Sequence, residues 1–418
     1  MSISTLTKNI TKCDRKETMK RIFFIPFLSL LLAACAEREF EVRPFENVSG
    51  TGGRFPSLAS TAEGTLLMSW LNPSGSEGSY SLRFAEWSGG NWSEPATVFS
   101  GPDFFVNWAD YPSIFQVNGD TLVTHWLNKR GPGTFEYDVY LSVSNNRGYS
   151  WSDPVIPHRD GIAGEHGFLS FFRQSGKLGM AWLDGRNMAS SEHGHGSGDM
   201  ALFATTMGGE MFLGPEESLD SRICECCPTA AVTIGDKNIV AYRDRSDTEV
   251  RNIQTVRFDG ESWSSPSSVH DDGWMIPGCP VNGPELAVNG EMLGIAWYTA
   301  PNGKARVNVA FSNDAGETFT EPLRIDGGIP LGRVDLEWVD RNRVAASWIE
   351  LAGDSAYVRI RTVSVDGKLG ELRTVTNIDS GRGSGYPQMV KVAKELFFAW
   401  TIPGNWKIEM ATVPLRTL

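Results

Sequence analysis

The sequence predicts an all-β fold, a single β-propeller of four-stranded blades, on three observations. A strand, a turn and a second strand closing on Trp or Tyr recur seven times. The closing aromatics are evenly spaced, and each interval holds a further pair of strands.

The first halves are FPSLASTAEGTLLMSW, YPSIFQVNGDTLVTHW, HGFLSFFRQSGKLGMAW, CPTAAVTIGDKNIVAY, GPELAVNGEMLGIAW, RVDLEWVDRNRVAASW and YPQMVKVAKELFFAW. They end at Trp70, Trp126, Trp182, Tyr242, Trp297, Trp348 and Trp400, 51 to 60 residues apart. Second halves such as VNVAFSNDAGETFTEPLRI each give a strand, a Gly-containing turn and another strand. Only six second halves are complete, so the missing outer strand is expected from residues 40–45, ahead of the first unit. That strand would close the ring and remove an exposed sheet edge. An open solenoid would need capping repeats, which the sequence lacks. Seven blades are expected; merging of the first and last units into one would leave six.

Met19-Lys20-Arg21, an apolar run over residues 22–32 and Ala33-Ala34-Cys35 resemble a bacterial lipoprotein signal. The run is too short to span a bilayer, which takes about 20 apolar residues. The resemblance implies translation from Met19, cleavage before Cys35, lipidation of Cys35 and a place in the cell envelope. Residues 1–35 then form the signal region and 36–418 the propeller. Ala36, rather than an acidic residue, follows the lipid cysteine, which by resemblance to Gram-negative lipoproteins implies the outer membrane.

The net charge is −12, and the first 34 residues hold six basic against two acidic groups, so the remainder is more acidic still. Such a surface repels nucleic acid and anionic lipid, leaving the lipid anchor as the membrane contact. An anionic ligand would need clustered arginines. A monomer is expected.

Ser312-Asn-Asp314-Ala-Gly316-Glu-Thr318-Phe319 and, more loosely, Ser144-Asn-Asn146-Arg-Gly148-Tyr-Ser150-Trp151 resemble the Asp-box (BNR) turns of sialidase-like propellers. In such a turn the carboxylate or amide bonds backbone N–H groups, Gly takes positive φ and the aromatic packs between sheets. The boxes speak to fold more than to activity. They fall on one face of the ring, and the long loops 100–110, 128–137, 157–166, 184–199, 220–227 and 270–282 fall on the other, where binding and chemistry are expected. Sialidases have six blades, a departure from the seven units here.

Residues leading into the first strands should line the channel mouth: Arg54, Asp110, Glu165 with His166, the cysteine loop, Asn282, Arg333, and Arg382 with Tyr386. The sialidase resemblance implies a carboxylate clamp of Arg54, Arg333 and Arg382, with Tyr386 as nucleophile, Glu165 as its base and Asp110 as acid/base. Arg245, in Tyr242-Arg-Asp-Arg245, could orient a polar ligand. The alternative is that these groups are ion pairs around a water-filled channel, with Tyr386-Pro387 a repeat-structural tyrosine like Tyr111-Pro112.

Cys224-Glu-Cys226-Cys227 and Cys279 occupy matching loops of adjacent blades. In an oxidising compartment an even four reads first as disulfides, with at least one bond from the cluster to Cys279. The competing reading is a copper or zinc site of these cysteines with His166, His193 and His195. No cofactor is otherwise implied. Three functions therefore stand: a sialidase-like glycosidase or lectin for acidic glycans, a copper- or zinc-binding envelope protein, and a non-catalytic interaction platform.

Overall fold

The computed structural model describes residues 39–188 and 198–418. They form a seven-bladed β-propeller of antiparallel sheets. The innermost strands are Arg54–Ser60, Ile114–Asn118, His166–Gln174, Ala230–Ile234, Glu285–Asn289, Ile329–Trp338 and Gln388–Val392. The expected closure is present. Blade seven runs Gln388–Val392, Glu395–Ile402, Lys407–Pro414 and takes its outer strand, Arg43–Phe45, from ahead of blade one, with Phe45 opposite Met410. Among the described residues no helix is long and apolar enough to cross a membrane.

The closing aromatics alternate inward on the second strand of each blade and are all buried, at 0–4 % exposure. They fill the space between blades: Trp70 of blade one packs in one cluster with Val390, Phe397 and Met410 of blade seven. Burying each ring contributes about 4–6 kcal/mol before conformational entropy is subtracted, so the repeat spacing is what seals blade against blade. Blade two departs from the plan. Its fourth strand shrinks to one bridge, Leu141 to Val155, because Pro154 and Pro157 flank it and donate no ladder hydrogen bonds.

The turns at residues 144–151 and 312–319 are built as the sequence suggests. Asp314 accepts from the Thr318 N–H at 3.0 Å and its hydroxyl at 2.6 Å, while Ser312 Oγ accepts from the N–H of Gly316, whose φ is +78°. Asn146 and Ser144 repeat the scheme toward Ser150 and Gly148.

The lead-in to several inner strands carries a device the sequence does not announce. Phe55, Phe168 and Arg333 sit at φ of 51°, 52° and 55°, a left-handed conformation costing about 1–3 kcal/mol for such residues. In each case a neighbouring blade holds the strained residue by its N–H. Phe55 donates to Thr401 Oγ1 at 2.8 Å, Phe168 to Asp110 Oδ2 at 2.8 Å, and Arg333 to Asn282 Oδ1 at 2.7 Å. Asp110 and Asn282 thus occupy equivalent latch positions.

Candidate functional site

An aromatic stack caps the channel. Trp108 stacks on Tyr386 with centroids 6.0 Å apart, Tyr386 leans on Tyr111 at 5.9 Å, and the guanidinium groups of Arg333 and Arg382 lie 4.6 and 6.0 Å over the Trp108 ring. Beneath it a cavity of about 440 Å³ is lined by Tyr111, Glu285, Asp335, Glu337, Tyr386 and Gln388, among others. Burial pushes the carboxyls of Glu285 and Glu337 up to about 8 and about 7, and raises Asp335 as well.

The structure redistributes the roles that the sialidase resemblance implied. Tyr386 is buried and donates its hydroxyl to the Val281 carbonyl at 2.7 Å rather than to Glu165, the base expected for it; burial holds its phenol well above the ordinary range. Arg333 is buried too. Its guanidinium donates to the carbonyls of Gly381 and Gly385 and to Ser384 Oγ, which knits the 381–385 turn. Arg245 is committed to Glu225 and Glu249. Asp110 is a latch, its carboxyl pushed up to about 8 by burial. Of the three clamp arginines, Arg54 is half-buried over Trp406 at 4.0 Å, and Arg382 alone is exposed.

What sequence reasoning missed is Tyr137. At the start of the third strand of blade two, it donates to Glu165 Oε1 at 2.6 Å across the junction with blade three. A backbone bridge between the same two residues, with the Tyr137 N–H on the Gly164 carbonyl at 3.1 Å, sets the pair, and Phe105 stacks on the Tyr137 ring at 4.0 Å. Glu165 is half-buried, and burial drives its carboxyl up to about 7 despite the Tyr137 hydroxyl. A Cβ on Gly167 would lie 2.0 Å from Asp110 Oδ2 and 3.1 Å from the Tyr137 ring, so only glycine leaves room for these two side chains here. The pair is a buried phenol, which desolvation and then the charge of Glu165 hold well above its ordinary range, and a carboxyl near its midpoint at neutral pH, the composition of an acid–base or assisted-nucleophile couple.

The cysteines do converge. Cys224 Sγ lies 3.3 Å from Cys227 Sγ and 3.9 Å from Cys226 Sγ, and Cys226 acts on the Cys279 thiol, lowering its pKa. The expected bridge to Cys279 is not formed; all four are free thiols, with Cys224 and Cys227 buried and Cys279 exposed. Hydrogen bonds from Cys226 and Cys227, then the charge of Arg251, hold the Cys224 thiol well below its ordinary range. His166 does not join them. It packs with His158 among aspartates instead, because Asp138, Asp160 and Asp184 surround its ring. His193, His195 and Cys35 lie outside the described residues.

No family model and no curated protein matches the chain. Solved structures do share the fold. A polysaccharide lyase of family PL25, an ulvan lyase bound to an oligosaccharide, superposes with a TM-score of 0.55 at 14% identity, over 89% of this chain and 93% of its own. The polysaccharide lyase Uly1 gives 0.52 at 10% identity over 88% and 91%, and a protein of unknown function from Dyadobacter fermentans gives 0.50 at 15% over 90% and 98%. At these identities the likeness is one of fold.

Proposed function

We propose that the protein binds and processes acidic glycans at the loop-bearing mouth of the propeller, with Tyr137 and Glu165 as the reacting pair. The observation that carries this reading is their 2.6 Å hydrogen bond beneath long loops. Arg382, exposed beside Trp108, supplies charge for a substrate carboxylate, and the indole offers a face for a sugar ring. Polysaccharide lyases on the same fold support a glycan as the ligand class. The finer expectation is a sialidase-like hydrolase, in which Glu165 takes the proton of Tyr137 as the phenol oxygen attacks the anomeric carbon of an anionic sugar and the glycosidic oxygen departs with a proton from water; a second water then releases the sugar and Glu165 returns the proton to Tyr137. Lipidation of Cys35 would hold the propeller in the cell envelope, at the outer membrane.

The test is turnover by the full chain of a panel of sialosides and uronic-acid polysaccharides, following both reducing ends and unsaturated products. Reducing ends alone support a hydrolase, and unsaturated products a lyase. Binding without turnover reduces the reading to a lectin, and neither binding nor turnover removes it. A second reading rests on the thiols: Sγ atoms 3.3 and 3.9 Å apart are spaced for copper(I) or zinc. Loss of bound metal in Cys226→Ser would support it.

A further inference from the structure

Behind the Tyr137–Glu165 pair lies a second cluster. The next residue along each segment, Asp138 and His166, meets His158, Asp160 and Asp184 in a buried group of imidazoles and carboxylates. The side chains of His158, His166 and Asp138 are 1 %, 0 % and 3 % exposed. All four ring nitrogens, with Asp138 Oδ1 and Asp160 Oδ2, make no hydrogen bond of good geometry within the protein, their contacts with one another being those of loose ion pairs. Each such buried atom costs about 1–3 kcal/mol if left unpaired, against a net stability of about 5–15 kcal/mol for a whole domain. A site of this kind calls for an occupant.

The spacing indicates which. Asp138 Oδ1 stands 3.7 Å from His158 Nε2 and 3.5 Å from His166 Nδ1. These are too long for hydrogen bonds, yet close to the roughly 3.4 Å between ligand atoms that share a tetrahedral ion at about 2.1 Å. The opposite ring nitrogens face carboxylates: His158 Nδ1 lies 3.5 Å from Asp160 Oδ2, and His166 Nε2 lies 3.2 Å from Asp160 and 3.6 Å from Asp184. Carboxylates behind imidazoles are how proteins orient metal-binding histidines. Arg186 pairs with Asp184 and approaches Asp160 at 3.5 Å, and Arg130 approaches Asp138 at 3.6 Å, so the surplus negative charge is partly balanced.

We propose that Asp138, His158 and His166 bind one divalent transition-metal ion of the zinc type, with Asp160 and Asp184 orienting the two imidazoles. Two nitrogen ligands select against calcium and magnesium, which take oxygen. Binding tilts the rings, now parallel with centroids 3.8 Å apart, so that one nitrogen of each converges on the ion. The ion ties together the two backbone segments that carry Tyr137 and Glu165, which makes it a positioning element for that pair. The site itself stands whether or not the glycan reading does.

The test is cobalt(II) loading of the full chain purified without chelator, read by bound metal and by visible absorption. The expected result is one tightly held equivalent with the weak bands of a nitrogen–oxygen site, retained in Cys226→Ser and lost in His158→Gln and His166→Gln. No retained cobalt, or cobalt whose spectrum shows only thiolate charge transfer and vanishes in Cys226→Ser, overturns the proposal. Should a histidine variant fail to fold, the spectra of the unaltered and Cys226→Ser chains decide alone: nitrogen–oxygen bands in both uphold the site, and their absence overturns it.

Discussion

The hydroxyl of Tyr137 and the carboxylate of Glu165, 28 residues apart in the chain, meet at 2.6 Å where blade two abuts blade three. Replacing either residue leaves the other's polar atom without its partner, the Tyr137 hydroxyl buried and the Glu165 carboxyl half-buried. Tyr137→Phe is therefore expected to keep the fold, at a cost of about 1–2 kcal/mol in denaturant unfolding. Turnover of an acidic glycan should fall about 100-fold or more. Unchanged turnover would place the chemistry elsewhere.

Asp110 and Asn282 hold equivalent strained residues, Phe168 and Arg333, by their backbone N–H groups. An amide oxygen serves as well as a carboxyl at this position. Asp110→Asn should accordingly retain both stability and turnover, whereas Asp110→Ala should lose about 1–3 kcal/mol of stability. Loss of turnover in a stable Asp110→Asn chain would restore Asp110 as the catalytic acid.

Arg333 and Arg382 flank the same indole and should separate on substitution. Arg333→Met strips donors from the Gly381 and Gly385 carbonyls and is expected to cost about 2–4 kcal/mol of stability. Arg382→Ala, on the surface, should change stability by less than about 0.5 kcal/mol and weaken binding of a carboxylate-bearing glycan about tenfold. Calorimetric melting beside glycan titration reads both.

The channel acids set a pH dependence. Glu285 and Glu337 keep their protons to about pH 8 and about pH 7 in the folded chain, because burial penalises their charge. Unfolded glutamates release theirs near pH 4.3. Between these limits the native state binds more protons, so unfolding free energy falls as pH rises from about 4.3 to about 8. Glu285→Gln should flatten that decline, raising Tm relative to the parent at pH 8 and leaving it unchanged at pH 4. Parallel Tm curves would mean that Glu285 is ionised and compensated in the native protein.

Among the cysteines, accessibility orders reactivity. Alkylation mapped by peptide mass should label Cys279 in the native protein and reach Cys224 and Cys227 only on unfolding. A peptide joined through Cys226 and Cys279, or through Cys224 and Cys227, would show instead that the cluster is a disulfide staple.

Fold was legible in the sequence because it rests on periodic burial. Trp70, Trp182 and Trp348 announce their blades by type and spacing alone, and the outer strand lacking at the C-terminal end pointed to the segment that became Arg43–Phe45. The pair Tyr137–Glu165 was not legible. Glu165 stood out by its place before an inner strand, but Tyr137 begins a third strand with no local motif, and only the packing of two blades brings them together. Tyr386 drew attention for the converse reason. Its position is right for a nucleophile, yet the Val281 carbonyl that accepts its hydrogen bond belongs to a loop 105 residues away. The latch role of Asp110 likewise depends on the left-handed backbone of Phe168, which a phenylalanine does not advertise.

The strand Arg43–Phe45 precedes every blade in the chain but pairs with Lys407–Pro414, which follows all the inner strands. During synthesis the first-made strand must wait unpaired until the last blade has left the ribosome, and the ring cannot seal before then. Joining segments so far apart carries the largest loop-closure entropy in the molecule, which favours slow final folding and a late intermediate with an open sheet edge. In the folded protein that seam is where unzipping should begin.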